Sequence, residues 1–157
     1  MKRSNKGVTV LEFALILPCL FLFIFGIMEF GYLFFVQHTL EMATREGARL
    51  ALVGGTVDDG GGHQLDRANS IAKIIRDKVK VAVRPSDVSI SIYPLNADYG
   101  APKDSLSTLD AGLAGGYMRV RTRYTHRFMT PVLGNLIQTI QGQLVLQAQA
   151  TYRNEMF

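Results

Sequence analysis

Two carboxylates, Glu12 and Glu29, are the only charged residues between Val8 and Val36. A carboxylate surrounded by hydrocarbon costs several kcal/mol unless something pairs with it. Each therefore needs a partner or an aqueous edge. Glu29 has two readings: hydration near an outer membrane interface, or pairing with a basic residue of a partner subunit. Other chemistry finds little support. His38, His63 and His126 fall on separate elements without the spacing of a metal-binding helix. Ser86, Ser89, Ser91, Ser105 and Ser107 lack a nucleophile-elbow context. The glycines of Asp58-Asp59-Gly60-Gly61-Gly62 have no Lys-Ser/Thr after them, so the stretch reads as a flexible connector. No catalytic, metal or cofactor site is expected, and the chain is not read as an enzyme.

The elements around these residues are legible from periodicity. Lys2, Arg3 and Lys6 precede an apolar run in which Phe13–Met28 gives 16 uncharged residues. A bilayer span needs about 20 mainly apolar residues. The run meets that length if one glutamate lies near each end, with the basic end in the cytoplasm. A cleavable secretory signal is disfavoured, because Gly26–Gly31 puts large residues where small ones are required. Pro18 should bend this half of the helix. Cys19, the single cysteine, reads as a small apolar side chain, so packing alone must hold the outer domain.

The helical pattern continues through Leu40, Ala43, Gly47, Leu50 and Ala51, with Gly54-Gly55 as a stop. One helix from about Val8 to Val53 would be roughly 70 Å long. A second helix is expected from about Leu65 to Lys80, with Leu65, Ala68, Ile71, Ala72, Ile75 and Val79 as its apolar stripe and Arg67, Lys73, Arg76, Asp77 and Lys80 mostly facing water. Three alternating strands follow, with a loop rich in turn residues from Pro94 to Gly116 between the first and the second. Their apolar faces carry Val88, Ile90 and Ile92; then Met118, Val120, Thr122, Tyr124 and Phe128; then Leu144, Leu146, Ala148, Ala150 and Tyr152. The expected fold is α+β: a long N-terminal helix, a second helix and a small three-stranded antiparallel sheet. The expected division is a basic leader at 1–7, a transmembrane segment at 8–36 and an extracytoplasmic domain at 37–157.

Net charge is +4 at a mean hydropathy of +0.14. Without residues 1–7 the balance is 14 basic against 13 acidic residues, so the basic pI is weak evidence for a nucleic-acid partner. The Arg119/Arg121/Arg123/Arg127 row reads as a solvated sheet face, with contact to a membrane surface or an acidic partner as the alternative. Stacking aromatics are not expected among those arginines, and no nucleic-acid partner is expected.

Lys6-Gly7-Val8-Thr9-Val10-Leu11-Glu12-Phe13 resembles the processing site of type IV pilins and pseudopilins. Val10–Pro18 is similar to the V-E-F-A-L-x-L-P opening of TadE-like minor pseudopilins of the tight-adherence (Flp) pilus. Gly26–Gly31 is similar to that family's G-I-x-E-F-G. Ala43–Arg49 is similar to its A-A-R-E-G-A-R, with Thr44 for the usual Ala, and the closing Gln147–Glu155 is similar to its final strand. The resemblance implies cleavage between Gly7 and Val8 by a prepilin peptidase on the cytoplasmic side. It implies subunit pairing through Glu12, with Glu29 as a further candidate. It marks Phe13, Pro18, Arg45, Glu46, Gly47 and Arg49 as motif residues. The implied partners are other pilin or pseudopilin subunits, the peptidase, the inner-membrane assembly platform and the lipid bilayer. The implied location is the inner membrane, single-pass, with the C-terminal domain outside the cytoplasm. The alternative is an uncleaved single-span envelope protein whose outer domain binds a ligand, lipid or partner protein.

Overall fold

The structure is a computed structural model that describes residues 6–96, 108–131, 134–135 and 143–156. Leader residues 1–5 and residues 97–107 of the loop expected between Pro94 and Gly116 lie outside the described residues. The fold is α+β. Helix α1 (Lys6–Leu52) precedes helix α2 (Arg67–Val79) and strands β1 (Val88–Pro94), β2 (Tyr117–Thr125) and β3 (Val145–Arg153). Lys6 and Gly7, expected in an irregular leader, already belong to α1.

The chain divides into two compact units: 1–34 with 127–142, and 35–126 with 143–157. The stretch 127–142, expected in the outer domain, thus groups with the apolar half of α1.

In the first unit, α1 is long and apolar enough to cross a membrane, and its apolar window is not buried within the protein. Phe13, Leu15, Ile16, Phe23 and Ile27 are all exposed. Such a surface in water would be very costly; in lipid it is the ordinary state.

In the second unit, the rest of α1 and α2 bury one stripe each. Val36, Leu40, Ala43, Thr44, Gly47, Ala48 and Ala51 face inward on α1. Ala68, Ile71, Ala72, Ile75 and Val79 do so on α2. The α1 terminus closes as a Schellman turn. Gly54 takes a positive φ of 67°, Gly54 N–H donates to Ala51 C=O, and Gly55 N–H donates to Leu50 C=O. Asp66 caps α2 by accepting from Asn69 N–H.

The sheet order is β1-β2-β3, antiparallel throughout, with Val120 opposite Ile92 on one side and Ala150 on the other. Val88, Ile90, Ile92, Met118, Val120, Thr122, Tyr124, Leu146, Ala148 and Tyr152 are buried on one face. Two boundaries differ from the periodic pattern. Arg127 and Phe128 lie beyond β2, and Leu144 precedes β3, where its carbonyl accepts from His126 N–H.

Three local expectations are corrected. Asp58–Gly62 is not a loose linker: the Asp58 carboxylate accepts from Gly60 and Gly62 N–H, and the Asp59 carboxylate accepts from Gly61 and His63 N–H. Those backbone bonds, Gly61 first, hold the Asp59 carboxyl below the usual carboxylate range. Arg67 does not simply face water. It donates to Ala51 C=O, which also accepts from Gly54 N–H in the last turn of α1, and to the Asn154 side chain and Gly112 C=O. The arginine face of the sheet does carry aromatics, since Arg121 lies over the Tyr93 ring and Arg153 over Tyr117, at 5.4 and 5.5 Å.

Candidate functional site

The two carboxylates of the apolar run have opposite surroundings. Glu29 is 2% exposed. Its carboxylate accepts from Met129 N–H at 3.0 and 3.1 Å and from Thr130 N–H at 3.0 Å. Neither hydration nor a neighbouring subunit is needed to account for it; the partner is in the same chain, a hundred residues on. The chemistry is reciprocal. Thr130 accepts from Gly134 N–H and so opens a helical turn, with Pro131 next in line. Free amides at the start of such a turn need an acceptor. A charged acceptor gives the stronger bond, and the turn's dipole favours it.

Sequence reasoning missed this pair because no periodicity connects positions so far apart. The available signal was Thr130-Pro131, a helix-start signature beside an unexplained carboxylate.

Glu12 lies on the exposed surface of α1, and among the described residues it has no hydrogen-bond or ionic partner. Gly7 and Val8 are part of the α1 backbone, one helical turn before it. Phe13 is exposed, Pro18 sits inside the helix, and Cys19 is exposed.

The Ala43–Arg49 motif splits by face. Gly47 is buried where α1 meets α2: a Cβ there would lie 2.7 and 2.8 Å from Ile75 Cγ1 and Cδ1. Thr44 is also buried, and its hydroxyl meets that of Thr122. Arg45 and Arg49 point outward, in exposed ion pairs with Glu41 at 3.5 Å and Glu46 at 3.0 Å. Pairs this exposed contribute little to stability. The inward residues are thus structural, while the arginines are free to meet another surface. The Arg153-Asn154 close of the chain latches the second unit. Asn154 is buried, donates to Ala111 and Leu113 C=O, and accepts from Arg67.

Among the described residues no cluster of His, Cys, Asp or Glu has the arrangement of a metal site. No curated protein and no solved structure matches the chain. A family model described as TadE-like protein matches residues 7–49, so across its glycine junction, apolar helix and Arg45–Arg49 motif this membrane-anchored chain is similar to TadE-like proteins, a pilus-related and structural kind of protein.

Proposed function

We propose that the protein is a minor pilin or pseudopilin that takes part in assembling a tight-adherence pilus, after a prepilin peptidase cuts it between Gly7 and Val8. The observation that carries this reading is the contrast between the two glutamates. Glu29 is satisfied within its own chain, whereas Glu12 faces outward from an apolar helix with no partner among the described residues. A lone carboxylate there is costly for a monomer and useful to an assembly. Cleavage after Gly7 would create an α-amine on Val8, one turn from Glu12. In a stack of identical helices, that amine supplies the charge Glu12 lacks. The basic residues before the helix support a cytoplasmic N-terminus, where such a peptidase acts. The outward Arg45 and Arg49 suit contacts with neighbouring pilin subunits or the inner-membrane platform.

The test begins with N-terminal sequencing and intact mass of protein purified from native membranes. The mature chain should begin at Val8, and Gly7→Leu should block the cut. A chain beginning at Met1 would instead favour the uncleaved envelope-protein reading. Glu12→Ala should insert into the membrane as well as the parent, yet fail to support piliation in a strain lacking the native copy. Normal piliation would remove the role assigned to Glu12.

A further inference from the structure

We propose that Phe128–Pro131 is a second contact of this protein with the lipid bilayer, an interfacial segment that Glu29 straps to the outer end of the membrane-spanning helix. The inference rests on the membrane-anchored reading of α1 and goes beyond it.

Three observations support it. The first is depth. Glu12 and Glu29 are 17 residues apart on one helix, or about 26 Å along its axis at 1.5 Å per residue. Hydrocarbon is about 30 Å thick, so with Glu12 near the inner edge Glu29 reaches the outer one. The bonds from Met129 and Thr130 N–H to the Glu29 carboxylate hold their segment at that level.

The second is surface chemistry. Phe25, Met28, Met129, Thr130 and Pro131 line a recess of about 360 Å³ with Glu29. Met28 and Met129 are 61% and 62% exposed, and Phe25 is 48% exposed. These side chains continue the apolar surface of α1 without interruption. That continuity names the occupant: the lipid that already covers the helix. No charged residue occurs from Phe128 to Gly142. Arg127, at the near end, is exposed and long enough to reach phosphate headgroups while its stem stays apolar.

The third is the bonding. Backbone N–H groups in contact with lipid must be satisfied by protein. A glutamate is an expensive acceptor in a soluble loop, where water would serve. At the hydrocarbon edge it serves both groups, because the amides need an acceptor and the carboxylate needs donors.

The chain contains no tryptophan, so a single one reports its own surroundings. Met129→Trp in the full chain, reconstituted into phosphatidylcholine vesicles, should emit at short wavelength. It should lose intensity to lipids brominated high on the acyl chain and resist aqueous acrylamide. Phe21→Trp is the control and should be quenched by lipids brominated deep in the chain. Adding Glu29→Ala to Met129→Trp should abolish the lipid quenching and open the site to acrylamide, and Glu29→Gln, which keeps one acceptor oxygen, should fall between. If Phe21→Trp is quenched by lipid but Met129→Trp responds only to acrylamide, the interfacial contact is wrong while the anchor stands. If neither is quenched by lipid, the anchored reading fails and takes this inference with it. If Met129→Trp is shielded from both quenchers and exposed on dilution into excess lipid, a second copy covers the segment and the lipid assignment is overturned.

Discussion

The hydroxyls of Thr44 and Thr122 meet at 2.7 Å inside the second unit, joining α1 to the central strand. Thr44 is also 2.7 Å from Leu40 C=O, and Thr122 is 3.5 Å from Ala148 C=O. One hydroxyl hydrogen bridges the pair while the other goes to a carbonyl. Thr44 departs from the alanine usual in TadE-like proteins, and Thr122 explains how a buried hydroxyl is tolerated there. Thr44→Val or Thr122→Val alone should cost about 1 kcal/mol, since each leaves a buried hydroxyl with only a carbonyl. The double variant should cost less than the two singles together. Urea unfolding of the detergent-solubilised protein measures this coupling, and strict additivity would show that the pair does not interact.

Gly47 marks the closest approach of the two helices. Alanine would gain about 1 kcal/mol in helix propensity. It would also press its Cβ into Ile75, which is fully buried and has nowhere to go. Overpacking of this kind costs about 1–3 kcal/mol, so Gly47→Ala should be net destabilising. Ile75→Val removes the Cδ1 atom and should partly rescue it. A lowered melting temperature for Gly47→Ala, with recovery in the double variant, is the expected result. A stabilised Gly47→Ala would mean that helix propensity outweighs the contact.

Tyr152 supplies a dependence on pH. Burial pushes its phenol up to about 12, against the opposing effect of Arg67, and its hydroxyl has no hydrogen-bond partner among the described residues. The unfolded chain loses this proton near pH 10, the folded chain only near 12. The folded state therefore holds more protons in between, and stability falls as pH rises from about 10 to about 12. The full loss is on the order of 2–3 kcal/mol. Tyr152→Phe should flatten that part of the profile in urea titrations run across the window. An unchanged slope in Tyr152→Phe would move the effect to another group.

Periodic features were readable because burial acts on every second or every third and fourth residue. The stripes of Leu40/Ala43/Gly47/Ala51 and Ile71/Ile75/Val79 and the even-numbered side chains of β2 therefore emerged from the sequence. Single long-range bonds leave no such trace. Glu29 with Met129, and Arg67 with Asn154, each join residues on elements far apart in the chain, and nothing in either local pattern names the other. Asp58–Gly62 misled for a different reason. Glycines suggest looseness, but each aspartate two residues before a glycine N–H can lock the turn with its own carboxylate. The arginine row misled because Tyr93 joins that face only through sheet register, whereas Tyr117, two residues before Arg119 on the same strand, was readable from the alternation and was passed over.

The grouping of 127–142 with the apolar half of α1 changes how the outer unit should be isolated. A fragment beginning at Phe35 keeps Val36, which is fully buried, together with α2 and all three strands. Retaining 127–142 would leave Met129 and Thr130 N–H without the Glu29 carboxylate, and would put Phe128 and Met129 in water. His126 N–H donates to Leu144 C=O, so the two ends of that stretch already lie side by side, and a short Gly/Ser turn can replace it. The fragment with the replacement should be soluble, monomeric and cooperatively unfolded. The fragment with the native stretch should self-associate or bind detergent. Size-exclusion chromatography and denaturant melts compare them directly. Within the replaced fragment, Val120→Asp should abolish folding because its side chain is fully buried, whereas Arg121→Ala on the opposite face should cost much less. If the native-loop fragment is the better behaved of the two, then 127–142 contributes to the folding of the outer unit, and its assignment to the membrane helix through Glu29 is mistaken.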